Sequence, residues 1–411
     1  MSTALPPSGS GALAKREARL AWALLAPTMI SISLVVVLPL LAIIWISFKP
    51  FTLTDLRPPA PIVRESLRGE GDDLRIEYRV RNSSQEIAIS SVTLSDTLPP
   101  GLTLKDDLPD HCQQTNRNLF CDFGDMNGGA RERLRLPVLA TGDVDALEDL
   151  VKESKPAMTG AGPSVLTSFE FSMENFTRLF DGGEFWSVLW ITLFYTVFGT
   201  IGALVLGLFA ALLLNKSFRG QGFIRGLYLF PYVAPVIAVA FTWVTLFDPF
   251  SGSANALLVQ MGLSQTPINF FGDRPLALIM VTVFEIWRYF PLSFLFILAR
   301  MQSIDTSMYE AADMDGASPF QKFWLLSIPQ LLGILSVLFL LRFIWTFNKF
   351  DDIFLLTGGN AGTRTLTVNV YEQAFAISNI GAGAAVAVVI LLCLLLFSFV
   401  FFRFISRGEG L

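Results

Sequence analysis

The chain has 411 residues, of which 52% are hydrophobic and 16% charged, with a mean hydropathy of +0.54. A soluble domain carries about 25% charged residues, so this composition excludes a disordered chain, a disulfide scaffold and most cytosolic enzymes and points to a membrane protein. The formal net charge of −5 is unevenly spread: residues 51–185 hold 23 acidic and 14 basic side chains, the remainder 12 acidic and 16 basic, so an acidic segment is set into a mildly basic, apolar frame. One histidine and three cysteines leave little for metal or thiol chemistry.

A helix needs about 20 apolar residues to cross about 30 Å of hydrocarbon. Six stretches qualify in chain order: 20–48, 185–215, 226–247, 276–299, 323–341 and 373–402, the fourth interrupted by Glu285 and Arg288. Lys15, Arg16 and Arg19 precede the first as they would a signal peptide. Its apolar run is too long for one, and no small-residue cleavage site precedes Lys49. Lys and Arg near span ends mark the cytoplasmic side. Alternate connections carry Lys15, Arg16 and Arg19; Lys216, Arg219 and Arg225; Arg300 and Lys322; Arg403 and Arg407. The opposite short connections carry mainly Arg274 and Arg364. Both termini are therefore expected in the cytoplasm and residues 51–185 outside, in the periplasm or its equivalent.

Within that outer segment, Leu74, Ile76, Tyr78 and Val80 share one face and charges fill the other, the alternation of a half-buried strand over 73–81. Further strands are expected at 88–97, 118–123 and 131–139, with a turn at Leu98-Pro99-Pro100-Gly101. Several short strands with polar turns suggest a small β-sandwich. The runs Arg81-Asn82-Ser83-Ser84, Ser95-Asp96-Thr97-Leu98-Pro99-Pro100-Gly101-Leu102 and Cys112 with Cys121-Asp122-Phe123-Gly124 resemble repeat-type, immunoglobulin-like β domains of bacterial surface proteins. Cys112 and Cys121, with eight residues between them in an oxidising compartment, are expected to form a disulfide. Cys393, inside the last span, reads as a small apolar filler, and His111 as a turn residue without further metal ligands near it. Residues 141–170, rich in Asp, Glu, Ser, Gly and Pro, read as a linker, and Phe176-Thr177-Arg178-Leu179-Phe180 as an interfacial amphipathic piece before the second span.

Between the fourth and fifth spans, Glu310 to Met314 can form a short helix, Gly316 frees the backbone for a sharp turn, and Pro319 suits the first turn of a second helix. Phe320, Phe323 and Trp324 give that second helix an apolar face. Glu310-Ala311-Ala312, three residues, Gly316, then Pro329 at the matching distance, with Leu326 and Ile328 exchanging two aliphatic positions, resemble the EAA loop of binding-protein-dependent ABC importer permeases. The resemblance implies that Glu310, Ala311, Ala312, Asp315, Gly316 and Ala317 couple the chain to an ATP-hydrolysing subunit, the first short helix docking in its cleft. Further runs are similar to the sugar, maltose-type branch of that family: Asn175-Phe176-Thr177-Arg178-Leu179-Phe180, Leu229-Phe230-Pro231-Tyr232-Val233-Ala234-Pro235, Phe343-Ile344-Trp345-Thr346-Phe347-Asn348-Lys349-Phe350-Asp351, and Leu355-Leu356-Thr357-Gly358-Gly359 with Tyr371-Glu372-Gln373-Ala374-Phe375. No G-x-x-x-x-G-K-[ST] run occurs, so no ATP is expected to bind this chain through a P-loop, and no catalytic triad or basic nucleic-acid patch stands out.

The expected fold is an all-α polytopic membrane protein of six transmembrane helices with an inserted extracytoplasmic β-sandwich. Residues 1–50 form the N-terminus and first span, 51–170 the insert with linkers, and 171–411 the permease core with its coupling loop at 300–328. Partners implied by the resemblance are a second, homologous permease, a dimer of ATPases carrying Mg-ATP, an extracytoplasmic sugar-binding protein and the surrounding lipid, with no cofactor in this chain and no nucleic acid. The rival readings are an ion-coupled secondary transporter and a membrane-anchored sensor presenting the β domain. Charges inside spans usually face a bundle interior or a wet cavity. Glu285, Arg288 and Tyr289 fall on one helical face, and Arg342, Thr346 and Lys349 on another. If the faces meet, Glu285 and Arg342 can pair and leave hydrogen-bonding edges for sugar hydroxyls, with Trp287, Tyr289 or Trp345 stacking on a pyranose. Tyr232, Leu292 and Asn348 complete the candidate substrate set; by resemblance to the maltose permeases, most of these positions lie at or near sugar contacts.

Overall fold

The computed structural model describes residues 12–404, apart from 86, 106, 107 and 167. It divides into two units. One is helical and runs through Ser47, Glu174–Ile377 and onward from Ala382; the other comprises Phe48–Met173 with Ser378–Gly381.

Five helices of the first unit are long and apolar enough to cross a membrane: Ala14–Ser47, Glu184–Leu214, Leu276–Gln302, Pro319–Phe347 and Ile380–Arg403. The expected third span is not one continuous helix. It is a pair, Gln221–Val233 and Val236–Leu246, bent by 89°. Proline explains the break: Pro235 has no amide to donate and drives its predecessor out of the helical region, and Ala234 is extended at ψ 142°. The last span also starts later than expected. Residues 373–376 belong to a wide turn, Glu372–Ala376, that continues the short helix Leu366–Tyr371, and Ser378 at φ +63° separates it from the helix beginning at Ile380.

The helices Glu184–Leu214 and Leu276–Gln302 pack through small residues. Ala203, Gly207, Ala210 and Ala211 are buried along one side of the first, against Phe290, Phe294, Ile297 and Leu298 of the second, with Leu331 and Leu338 of Pro319–Phe347 closing the cluster. Gly207 is required there: a Cβ would lie 2.8 Å from the Phe294 amide nitrogen and 2.7 Å from Ser293 Cβ. Such close backbone approach is what small residues permit between membrane helices. The expected amphipathic piece is the helix Glu174–Asp181, whose Phe176 and Leu179 pack with Phe185, Phe343 and Val389.

In the second unit the described residues form eight strands: β1 (Pro61–Arg68), β2 (Arg75–Asn82), β3 (Ile89–Thr97), β4 (Leu102–Leu104), β5 (Cys112–Thr115), β6 (Asn118–Met126), β7 (Arg131–Ala140) and β8 (Ala157–Ala161). They pair antiparallel into two four-stranded sheets, ordered β1-β2-β7-β4 and β5-β6-β3-β8. Alternate residues of both sheets share one core: Ile76 and Tyr78 from β2, Leu134, Leu136 and Val138 from β7, Leu94 from β3, Leu119 and Cys121 from β6. Cys112 and Cys121 face each other in register and form a disulfide between β5 and β6.

Residues 141–170 are more than a linker. Asp143 caps the helix Val144–Glu153 by accepting from the Asp145 amide, and Leu147 and Val151, four residues apart, enter the core. β8 then adds an edge to the second sheet. Buried Lys49 donates to the backbone carbonyls of Ser168 and Glu170, the latter at 2.6 Å, which fixes the start of the unit to its end.

Candidate substrate site and coupling loop

Glu285 is fully buried on the helix Leu276–Gln302. A lone carboxylate there would be very costly, and three donors from two other helices meet it. Arg342 Nη2 donates to Oε1 at 2.7 Å, Thr346 Oγ1 donates to the same oxygen at 2.9 Å, and Tyr195 Oη donates to Oε2 at 2.9 Å. The two charged faces expected from spacing therefore do meet, and Glu285 and Arg342 pair. Tyr195, on Glu184–Leu214, was not foreseen: a single tyrosine in an apolar run carries no charge to flag it. Its only signal is that a buried hydroxyl needs a partner.

Beside this pair lies a cavity of about 300 Å³ lined by Tyr232, Glu285, Tyr289, Leu292, Arg342, Trp345, Thr346 and Lys349. Tyr289 stands at its centre: the Arg342 guanidinium lies 4.6 Å and the Lys349 amine 4.3 Å from its ring centroid, and the Tyr232 ring meets it edge-on at 6.0 Å. Trp345 is half exposed at the rim.

Three expected residues lie elsewhere. Trp287 packs with Trp243 and Phe284. Asn348 is exposed and caps its own helix, donating to the Ile344 carbonyl at 2.9 Å. Arg288 points at the bend of the broken helix, donating to the carbonyls of Pro231 at 3.3 Å and Ala234 at 3.1 Å. Those carbonyls lose helical partners at the break, so Arg288 supplies what Pro235 cannot. Buried Asp352, also unforeseen, lies 3.9 Å from Arg288 and 3.8 Å from Lys349. It falls just past the apolar run, where charge is ordinary in sequence.

The loop between the fourth and fifth long helices begins with Thr306–Met314, N-capped by Asp305, whose carboxyl the Ser307 amide and hydroxyl hold below its ordinary range. Gly316 follows at φ +76°, in the left-handed region that favours glycine. Ser318 and Gln321 form a reciprocal capping box, with Pro319 opening the next helix. Tyr309 Oη meets Ser327 Oγ at 2.9 Å and Lys322 Nζ meets Asp313 Oδ1 at 2.5 Å, bracing the turn from both sides. Glu310, Ala311, Asp315 and Gly316 are exposed, Ala312 and Ala317 half-buried. Met314 and Phe320 are 89% and 72% exposed.

A bundle of long apolar helices, one broken at mid-length, with a charged cavity among them and a braced surface loop, is the architecture of a multi-pass membrane permease. Residues 203–409 match the family of binding-protein-dependent transport system inner membrane components, and the chain belongs to that family. It is 37% identical over 222 residues to the inner membrane ABC transporter permease protein YcjO of Escherichia coli (strain K12), covering 53% of this chain and 74% of that one. It is 33% identical over 209 residues to the trehalose/maltose transport system permease protein MalF of Thermococcus litoralis, covering 51% and 70%. Among solved structures, the bacterial alginate ABC transporter in complex with its alginate pentasaccharide-bound periplasmic protein overlays 58% of this chain and 83% of its own at a TM-score of 0.54 and 19% identity, a likeness of fold.

Proposed function

We propose that this chain is the membrane-spanning subunit of an ATP-driven importer for a sugar, an oligosaccharide or glucoside. It would act with a second, homologous permease, two ATPase subunits holding Mg-ATP and an extracytoplasmic binding protein. Both termini face the cytoplasm, and the two-sheet unit, read as an immunoglobulin-like β-sandwich, lies outside. Transport is alternating access: the loaded binding protein docks outside, ATP closes the ATPase dimer, and the paired spans open outward to receive the sugar. Hydrolysis resets them. Glu285, Arg342, Thr346, Tyr289, Tyr232, Leu292, Trp345 and Lys349 receive the sugar, and the Glu310–Ala317 stretch passes the motion from the ATPase.

The observation that carries this reading is the loop. It is a short helix, a glycine turn and a capped second helix, braced at both ends, with Met314 and Phe320 exposed. A loop held in one shape by a rigid scaffold is suited to carry a binding surface. The trehalose/maltose permease among the relatives supports a sugar as cargo.

The test is co-purification and uptake. The chain is expected to co-purify with an ATPase. Gly316→Asp places a side chain at a positive φ in open space, and is expected to abolish uptake and weaken ATPase association while the chain still inserts. Full uptake by that variant would rule out the coupling role.

A further inference from the structure

Three cations meet around Tyr289, and of the three carboxylates that stand beside them two are buried. Arg288, Arg342 and Lys349 lie 5.6, 4.6 and 4.3 Å from its ring centroid. Against these three cations stand two buried carboxylates, Glu285 and Asp352. The third carboxylate, Asp351, 3.6 Å from Lys349, is half exposed, so water screens its field on that ammonium.

The distribution matters more than the count. Both oxygens of Glu285 already accept from Arg342, Thr346 and Tyr195. Arg288 is turned to the helix break and to Asp352. What faces the cavity is therefore Arg342 and Lys349 with one carboxylate that already accepts three hydrogen bonds. Arg342 is 2% exposed, and its Nε has no hydrogen-bond partner among the described residues. Lys349 lies 3.8 Å from Asp352, which it shares with Arg288. A neutral sugar could satisfy donors here but would leave the Lys349 ammonium, just past the end of the span Pro319–Phe347, with one half-exposed carboxylate and one that it shares with Arg288.

We propose that the cavity takes a saccharide bearing one anionic oxygen group, a carboxylate or a sulfonate, held against Lys349 and Arg342. This rests on the reading of the chain as a sugar importer. Neutral relatives of the same saccharide would fit by shape and fail by charge, since a site built around a buried charge rejects a ligand that leaves it unpaired.

The test uses the complete transporter in proteoliposomes with saturating binding protein. The probes are neutral mono- and disaccharides together with their uronate and 6-sulfonate counterparts. The expected result is uptake of an acidic probe over its neutral parent by roughly ten-fold or more, the size of one charge-assisted contact. Lys349→Gln is expected to bring that ratio close to one, and Lys349→Arg to keep it. Which counterpart is preferred tells carboxylate from sulfonate. Equal uptake of neutral and acidic probes by the unmodified transporter, or an unchanged ratio in Lys349→Gln, would overturn the proposal and leave the sugar importer standing. Failure of the whole panel to be taken up or to stimulate ATP hydrolysis would overturn both. If Lys349→Gln does not co-purify with its partners, the preference of the unmodified transporter decides alone.

Discussion

Glu285 in the helical unit and Glu65 in the β unit are both carboxylates drawn out of water, and their surroundings answer that cost in opposite ways. Glu285 meets a guanidinium and two hydroxyls drawn from two neighbouring helices, so that both its oxygens accept. Glu65, on β1, has the Ser154 hydroxyl on one oxygen and no partner on the other among the described residues. Its neighbours are the buried phenol of Tyr78, opposite it in register, and Asp96, to which Tyr78 donates at 2.5 Å. Burial, with Asp96 adding to it and Ser154 opposing it, pushes the Glu65 carboxyl up to about 7. The same burial lifts Tyr78 well above the ordinary phenol range. A cation lets a buried acid serve as a fixed acceptor; hydroxyls and a second acid leave it to be settled by a proton.

The sharpest way to break this contrast is to remove one member of the ion pair. Glu285→Ala leaves Arg342 buried without its counter-charge, at a cost of about 3–5 kcal/mol. Uptake and substrate-stimulated ATP hydrolysis are expected to vanish, and the thermal midpoint of the purified complex to fall. The double variant Glu285→Gln with Arg342→Met is expected to regain the midpoint without regaining uptake. A single variant that melts with the unmodified protein would show that the pair is not desolvated as described.

The β unit has a small core and a covalent tie. Opening Cys112–Cys121 is expected to destabilise that unit by roughly 2–4 kcal/mol, the usual contribution of a short closed loop. All eight tryptophans lie outside residues 48–173. Reductant should therefore hasten proteolysis within 61–161 while tryptophan emission stays fixed. Two thiols open to alkylation in the unreduced protein would refute the bond.

The smallest effect belongs to Glu65. Its folded value lies above its unfolded one, so its contribution is full below the unfolded value near 4.5 and is lost as pH rises through about 7. The change is on the order of 1–2 kcal/mol once partial exposure is discounted. Amide exchange in β1 and β2, corrected for intrinsic rates, should quicken between pH 5 and pH 7.5, and Glu65→Gln should flatten that dependence. A profile unchanged by Glu65→Gln would place the proton elsewhere.

What the sequence made legible follows from how each element is buried. The four expected strands correspond to β2, β3, β6 and β7, the inner strands of the two sheets. Each has a core face that shows as runs of alternating apolar residues, such as Ile76, Tyr78 and Val80 in β2, although β3 carries a bulge between Ile89 and Thr93. The strands not foreseen, β1, β4, β5 and β8, are all edges, short or loosely patterned. The helix Val144–Glu153 hid in an acidic, polar composition although Asp143, Leu147 and Val151 spell its cap and its inner face. In the helical unit, hydropathy summed over a window registers apolar length but not direction, so the third span looked continuous despite Pro231 and Pro235. The candidate site is legible from charges inside spans, as with Glu285 and Arg342, and from the resemblance to maltose permeases, as with Tyr232, Tyr289 and Leu292; Tyr195 carries neither signal. The same signals point to Arg288, whose hydrogen bonds go to a backbone break.

The seam at Gly207 has a mechanical meaning. Two helices whose backbones approach so closely that one methyl group would collide cannot slide or roll past each other without first separating. The pair Glu184–Leu214 and Leu276–Gln302 therefore behaves as a single stiff strut, and Tyr195 and Glu285 ride on it together. Compliance has to reside where the backbone is already interrupted, at the right-angled elbow after Val233, whose carbonyls are gripped by Arg288 from that same strut.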